Sequence, residues 1–254
     1  MRHLEQGTGM AYRLRGSPDG APVIFVHGAG GNKLAWLSLT RHLAALMPGR
    51  ALVTVDLPGH GESEGEGRER VDAYASDLIA FMDGLGFARA DLVAHSMGSA
   101  VCLTLALDAP DRVRRLAVIS GGYRLPTSPQ LIEALEQDYE AAVRHVGEVG
   151  FGENADPREV SAIVDGLLAC KPATTIADFK ACAAFDVKAR MEELNAPLAV
   201  FFGTRDVLTS PERNKALALA APNATILAFE NAGHMLMVER AKELAGAVAE
   251  FLAS

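Results

Sequence analysis

Three residues in this chain stand where they could carry out acyl transfer together. Ser96 lies in Leu92-Val93-Ala94-His95-Ser96-Met97-Gly98-Ser99-Ala100, where one apolar run ends in a small-X-Ser-X-small turn and a second begins at once. A serine so placed sits on a tight strand-to-helix corner with its hydroxyl thrown outward. The residues two before and two after it must be small, because strand and helix cross closely there. A serine hydroxyl is a weak nucleophile until a base takes its proton, and the base needs an acid to orient it. Asp206 follows the apolar run Pro197-Leu198-Ala199-Val200-Phe201-Phe202, in Gly203-Thr204-Arg205-Asp206. His234 follows the run Thr225 to Phe229, in Glu230-Asn231-Ala232-Gly233-His234. Both fall just past the ends of expected strands, where parallel sheets present their reactive groups. The arrangement predicts Ser96 as nucleophile, His234 as base and Asp206 as orienting acid.

Acyl transfer also needs hydrogen-bond donors aimed at the developing oxyanion. The strand Val23-Ile24-Phe25-Val26 runs into His27-Gly28-Ala29-Gly30-Gly31-Asn32, a loop rich enough in glycine for backbone N–H groups to face a ligand unobstructed. The N–H groups of Ala29 and Met97 are the expected oxyanion pair. His27 is expected to pin the loop.

These segments resemble the α/β-hydrolase superfamily, in its esterase, lactonase and C–C hydrolase branch with a small helical cap. The resemblance covers nearly the whole chain. The order Ser96, Asp206, His234 matches the family's order, and Asp56-Leu57-Pro58-Gly59-His60-Gly61-Glu62-Ser63 is similar to its D-x-P-G-x-G-x-S stretch. The resemblance implies the same roles for Ser96, His234, Asp206, Ala29 and Met97, with Asp56 and His60 holding a turn. Two departures are visible: Ala94 stands where glycine is usual, and Ser99 where many relatives have a second glycine.

The fold that must position these groups is α/β, a mostly parallel doubly wound sheet with an inserted helical cap. Expected strands are 10–14, 22–26, 51–55, 90–94, 113–119, 197–202 and 225–229. Those between 22 and 119 are continuous apolar runs, as strands covered on both faces should be. Val71, Ala75, Leu78 and Met82 recur at helical spacing, the segment from Met97 to Leu107 is apolar almost all round, and Leu244, Val248, Phe251 and Leu252 give a closing helix. Residues 123–190 hold no convincing strand. Ser128-Pro129 and Asp156-Pro157-Arg158-Glu159 read as helix starts, and the glycine-rich stretch Gly147 to Ala155 as a flexible connection. The chain therefore divides into a core domain, 1–122 with 191–254, and a helical cap, 123–190.

Composition narrows the chemistry. A chain of 254 residues with 49% hydrophobic and 22% charged residues suits one large domain, and a net charge of −8 disfavours nucleic acid and anionic membranes as partners. Cys102, Cys170 and Cys182 cannot all pair within the chain, and residues 1–9 contain no apolar stretch of the secretory kind. A cytoplasmic protein with reduced thiols is expected. A dinucleotide-binding reading of Gly28-Ala29-Gly30 fails twice: Lys33 occupies the third glycine position, and Asp56 lies 28 residues on from Gly28 rather than about 20. The histidines form no H-x-x-x-H pair and there is no C-x-x-C, so no metal or cofactor is expected.

The expected activity is serine-dependent hydrolysis of a small carboxylic ester or lactone. C–C bond hydrolysis and thioesterase or acyltransferase chemistry share the same residues, and a slow-hydrolysing ligand receptor or scaffold is a further alternative. A C–C hydrolase would want a cation for a substrate carboxylate, and Arg124 is the sequence's candidate.

Overall fold

Strands without polar alternation need cover on both faces, and the computed structural model, which describes residues 2–3, 9–125 and 127–254, supplies it. The strands are β1 (Arg2–His3), β2 (Ala11–Gly16), β3 (Pro22–Val26), β4 (Ala51–Val55), β5 (Ala90–His95), β6 (Val113–Ile119), β7 (Leu198–Gly203) and β8 (Ala224–Phe229). They form one sheet in the order β1-β2-β4-β3-β5-β6-β7-β8. The pairs β1–β2 and β2–β4 are antiparallel, and every pairing from β4 to β8 is parallel. β1 lies outside the seven expected strands.

Along β3 the side chains alternate between two cores. Ile24 and Val26 join one cluster, while Val23 and Phe25 join the other. The first cluster is covered by α2 (Val71–Gly84) and α3 (Met97–Asp108), the second by α1 (Leu37–Leu46) and α10 (Ala241–Ala253). Helix α3 is buried from Met97 through Leu107, which explains its all-round apolar sequence. Each fully buried Leu or Phe in these layers contributes about 1.5–3 kcal/mol.

β8 departs from this pattern. It is the last strand of the sheet, and Ile226 and Leu227 are each 46% exposed. Its apolar run does not signal two-sided burial, because an edge strand has only one neighbour.

Between β6 and β7 the chain forms α4 (Pro129–Gln137), α5 (Tyr139–Val149), α6 (Pro157–Leu168) and α7 (Pro172–Ala184). Local sequence sets their starts. Ser128, Asp138 and Asp156 accept hydrogen bonds from first-turn N–H groups, and proline opens α4, α6 and α7. The Asp156 side chain bonds the Arg158 N–H, so the start expected there is present. These helices have a small core of their own around Leu135, Ala142 and Val143, and α7 also feeds Ala181 and Cys182 into the larger sheet core. Two further helices follow β7 ahead of α10: α8 (Pro211–Ala220) before β8, and the short α9 (Leu236–Glu239) after it. No single helix among the described residues is long and apolar enough to cross a membrane.

Candidate active site

The loops at the C-terminal ends of β3, β5, β7 and β8 meet on one side of the sheet. Ser96 links β5 to α3 with φ 51° and ψ −119°, a strained backbone for a residue with a side chain. The corner is held from both sides. A Cβ on Gly98 would collide with the Val26 and His27 carbonyl oxygens, so only glycine fits there. Ala94, by contrast, sits fully buried within β5, and its methyl is accommodated. The Ser99 hydroxyl donates to the Ser96 carbonyl at 2.5 Å, giving the second departure from the family pattern a local use.

Asp206, in the loop after β7, accepts hydrogen bonds from the backbone N–H groups of Leu208 (2.9 Å) and Thr209 (2.8 Å) and from the Thr209 hydroxyl (2.8 Å). Its Oδ2 also takes the Nδ1–H of His234 at 2.9 Å. Burial alone would raise the Asp206 pKa, but the neighbouring His234 and these hydrogen bonds hold it below the usual carboxylate range. With the proton on Nδ1, the other ring nitrogen of His234 is left as an acceptor.

The loop carrying His234 is held by groups that the sequence did not advertise. The Gly150 carbonyl accepts from the His234 N–H at 2.7 Å and from the Met235 N–H at 3.1 Å. Glu239 accepts from the Gly152 and Gly233 N–H groups, each at 2.9 Å. The stretch read as a flexible connection is therefore stitched to the histidine loop. His95 donates Nε2–H to the His234 carbonyl at 3.0 Å, and burial, reinforced by His234, drives its pKa well below the ordinary value. His95 thus stays neutral. Asn214, buried in α8, donates to the Thr209 carbonyl at 2.8 Å and accepts from Gly121 N–H at 3.0 Å, bracing the acid loop.

His27 pins the glycine loop in the manner expected. Its Nδ1–H donates to the Gly28 carbonyl at 2.8 Å while Nε2 accepts from Leu57 N–H at 3.0 Å. Burial, helped by the neighbouring His60, lowers its pKa to about 3, so the ring remains neutral. Asp56 holds its turn, accepting from Lys33 N–H at 2.6 Å and from Glu62 N–H at 3.0 Å, and pairing with the buried Lys33 ammonium. That commitment to Lys33 leaves the dinucleotide reading without its ribose acid.

Ala29, Ser96, His95 and His234 all line one cavity of about 400 Å³. Its far walls come from the helices between β6 and β7 and are apolar, including Leu131, Leu135, Val143, Leu167 and Phe179. Met97 does not line it; the side chain is buried, and its N–H opens α3, where no acceptor exists within the helix. Arg124 does not line it either. It forms a β-bridge with Asp186 and a half-exposed ion pair at 3.9 Å, so the cation that sequence reasoning chose stands at the base of the helical segment, outside the cavity. Arg213, on α8, is the cation that borders the cavity among the described residues. Nothing in its local sequence, Pro211-Glu212-Arg213-Asn214, distinguishes it from a surface arginine.

A parallel sheet of this order, with a serine on a strained corner after β5, an acid after β7 and a histidine after β8, defines the α/β-hydrolase class. The chain belongs to the alpha/beta hydrolase family, whose model matches residues 23–247. It is 31% identical over 253 residues to the dihydrolipoyllysine-residue acetyltransferase component of the acetoin cleaving system of Pseudomonas putida, a match spanning 93% of this chain and 65% of that protein. Over 263 residues it is 26% identical to the 2-hydroxymuconate semialdehyde hydrolase of a Pseudomonas species, covering 97% of this chain and 92% of the relative. The fold is shared with the enol-lactonase of Burkholderia xenovorans, at a TM-score of 0.89 and 23% identity over 96% of each chain.

Proposed function

We propose that this protein is a cofactor-independent serine hydrolase cleaving a small carboxylic ester or lactone. The observation that carries the reading is the Asp206–His234 Nδ1 hydrogen bond of 2.9 Å beside a cavity that Ser96 shares with His234. In this mechanism the Ser96 oxygen attacks the substrate carbonyl carbon while His234 Nε2 takes the hydroxyl proton. Asp206 keeps the imidazole in the required tautomer and stabilises the imidazolium. The Ala29 and Met97 N–H groups hold the tetrahedral oxyanion. Collapse breaks the bond to the leaving alcohol, which departs with the proton from His234. A water, deprotonated by His234, then attacks acyl-Ser96, and the acid is released with Ser96 reprotonated.

The helices between β6 and β7 act as a cap in this reading, excluding water and shaping the acyl site. Their apolar walls favour an uncharged acyl group of modest size. One observation favours a second reading: Arg213 at the cavity could receive a substrate carboxylate, as C–C bond hydrolysis of an acidic substrate would need.

The test is hydrolysis of p-nitrophenyl esters from acetate to octanoate by the wild type and Ser96→Ala in parallel, with fluorophosphonate labelling of both. Turnover and labelling that depend on Ser96 support the proposal. Labelling without turnover of any ester favours a narrower substrate such as a lactone or an acidic C–C substrate. Absence of both would leave the receptor or scaffold reading in its place.

A further inference from the structure

Asp178, on α7, is a fully buried carboxylate that the proposed mechanism does not use. Its Oδ2 accepts from Gly30 N–H at 2.8 Å and from His60 Nε2–H at 2.7 Å. Its Oδ1 accepts from the Tyr74 hydroxyl at 2.5 Å. Three segments distant in sequence thus converge on one side chain: the glycine loop after β3, the turn after β4, and α2.

The bonding also fixes the charge of His60. Its Nδ1 faces the Pro58 carbonyl at 3.1 Å and its Nε2 faces Asp178, so both ring nitrogens meet acceptors and both must donate. His60 is therefore an imidazolium, in a fully buried ion pair with Asp178. Burial alone would depress its pKa, but the charge of Asp178 and the hydrogen bond to it bring the value above the ordinary one. Removing one partner of such a pair leaves an uncompensated buried charge.

The contact matters because of where Gly30 lies. It follows Ala29 directly, has φ +63°, and a Cβ at this position would sit 3.2 Å from the Thr175 hydroxyl of the same helix α7. The loop is thus pressed against α7 as well as bonded to it. We infer that Asp178 is a positioning residue: with His60 it ties the helical segment to the Gly28–Gly31 loop and so aims the Ala29 N–H at the oxyanion. The role of Ala29 rests on the hydrolase reading above; the latch on the loop does not.

The experiment compares wild type with Asp178→Ala and Asp178→Asn. Steady-state kinetics on a p-nitrophenyl ester are normalised to the sites that a fluorophosphonate labels, so a loss of folded protein does not count as a loss of rate. Amide hydrogen exchange of residues 28–31 is measured by NMR on the same samples. Loss of one oxyanion donor lowers kcat by about 10²–10³; a loosened donor should lower it by roughly 10–100-fold per labelled site. KM should stay within about twofold, because the donor acts in the transition state. Asn, which retains an acceptor oxygen for Gly30, should restore part of the rate, and exchange of the loop amides should accelerate most in Asp178→Ala. Unchanged kcat per labelled site with unchanged loop exchange would overturn the inference and leave Asp178 a purely structural residue. If the alanine variant does not fold, Asp178→Glu decides: it keeps the charge for His60 but displaces the acceptor by a methylene. It should lower kcat at constant KM, and an unaltered rate again overturns the inference. Were the wild type neither labelled nor active, the hydrolase reading would fall, and loop exchange alone would decide whether Asp178 holds the loop.

Discussion

The sheet and the helical segment between β6 and β7 are built on different physical terms. The sheet is held by two extensive apolar cores, one on each face, and each strand from β3 to β7 pairs on both sides. The helical segment has a core of its own around only Leu135, Ala142 and Val143. It is held to the sheet by Ala181 and Cys182 in the larger core and by particular polar ties to the sheet's loops: Gly150 and Gly152 on the histidine loop and its neighbour Glu239, and Asp178 on the glycine loop. Apolar layers tolerate exchange of one apolar residue for another, whereas a buried polar tie is lost with its single acceptor. The first region carries the proposed reacting groups, and the second supplies the far walls of the cavity they line.

The largest expected effect lies at the sheet's rim. Ser96→Ala should lower kcat by roughly 10⁴-fold or more while the melting temperature stays near that of wild type, checked by ester hydrolysis and calorimetry. Asp206→Asn should follow at about 10⁴-fold, because the wrong His234 tautomer is then favoured. A smaller loss there would mean that Thr209, 3.2 Å from His234 Nδ1, or another group orients the base.

Stability variants contrast the two regions directly. Leu103→Ala, within the fully buried α3, should destabilise by about 2–5 kcal/mol in denaturant titration. Leu131→Ala, on α4 at the cavity wall, is only partly buried and should destabilise by about 1 kcal/mol or less while shifting the preferred ester chain length. Equal losses at the two positions would erase the proposed contrast.

A pH series probes the tie between the regions. His60, faced by Asp178, Tyr74, His27 and Asp56, has a raised folded-state pKa. Its pairing therefore stabilises fully below the unfolded value of about 6.5, and the contribution is lost as pH rises through the folded value. Asp206 runs the other way: its depressed pKa gives stability above about 3.9 that is lost as pH falls through the folded value. The melting-temperature deficit of Asp178→Asn relative to wild type should shrink from pH 6 to pH 9. A deficit independent of pH would mean that His60 is not the charged partner.

Most of the sheet could be read from the chain because burial on both faces writes continuous apolar runs, and the candidate reacting residues follow those runs directly. Ser96, Asp206 and His234 each lie within a few residues of a strand end. The small residues around Ser96 could be read for the same reason, since a steric demand between adjacent segments is local. β8 shows the limit of the rule. Its composition matches the inner strands, but its position at the sheet edge leaves Ile226 and Leu227 half exposed, and position in a sheet is not a local property.

The sequence by itself determined the class of fold, the strand ends beside which the candidate residues Ser96, Asp206 and His234 lie, and the helix starts at Pro129 and Pro157. These follow from periodicity, capping chemistry and residue type, all of which act over a few neighbouring positions. Only the tertiary structure decided which polar groups hold the site in place. Gly30 and Asp178 are 148 positions apart, and His60 and Asp178 are 118 apart. Arg124, chosen on its position near the start of the helical segment, lies outside the cavity beside Asp186, while Arg213 reaches the cavity from α8. A hydrogen bond across such separations leaves no periodic trace in the chain, because its partners are matched by the packing of whole layers.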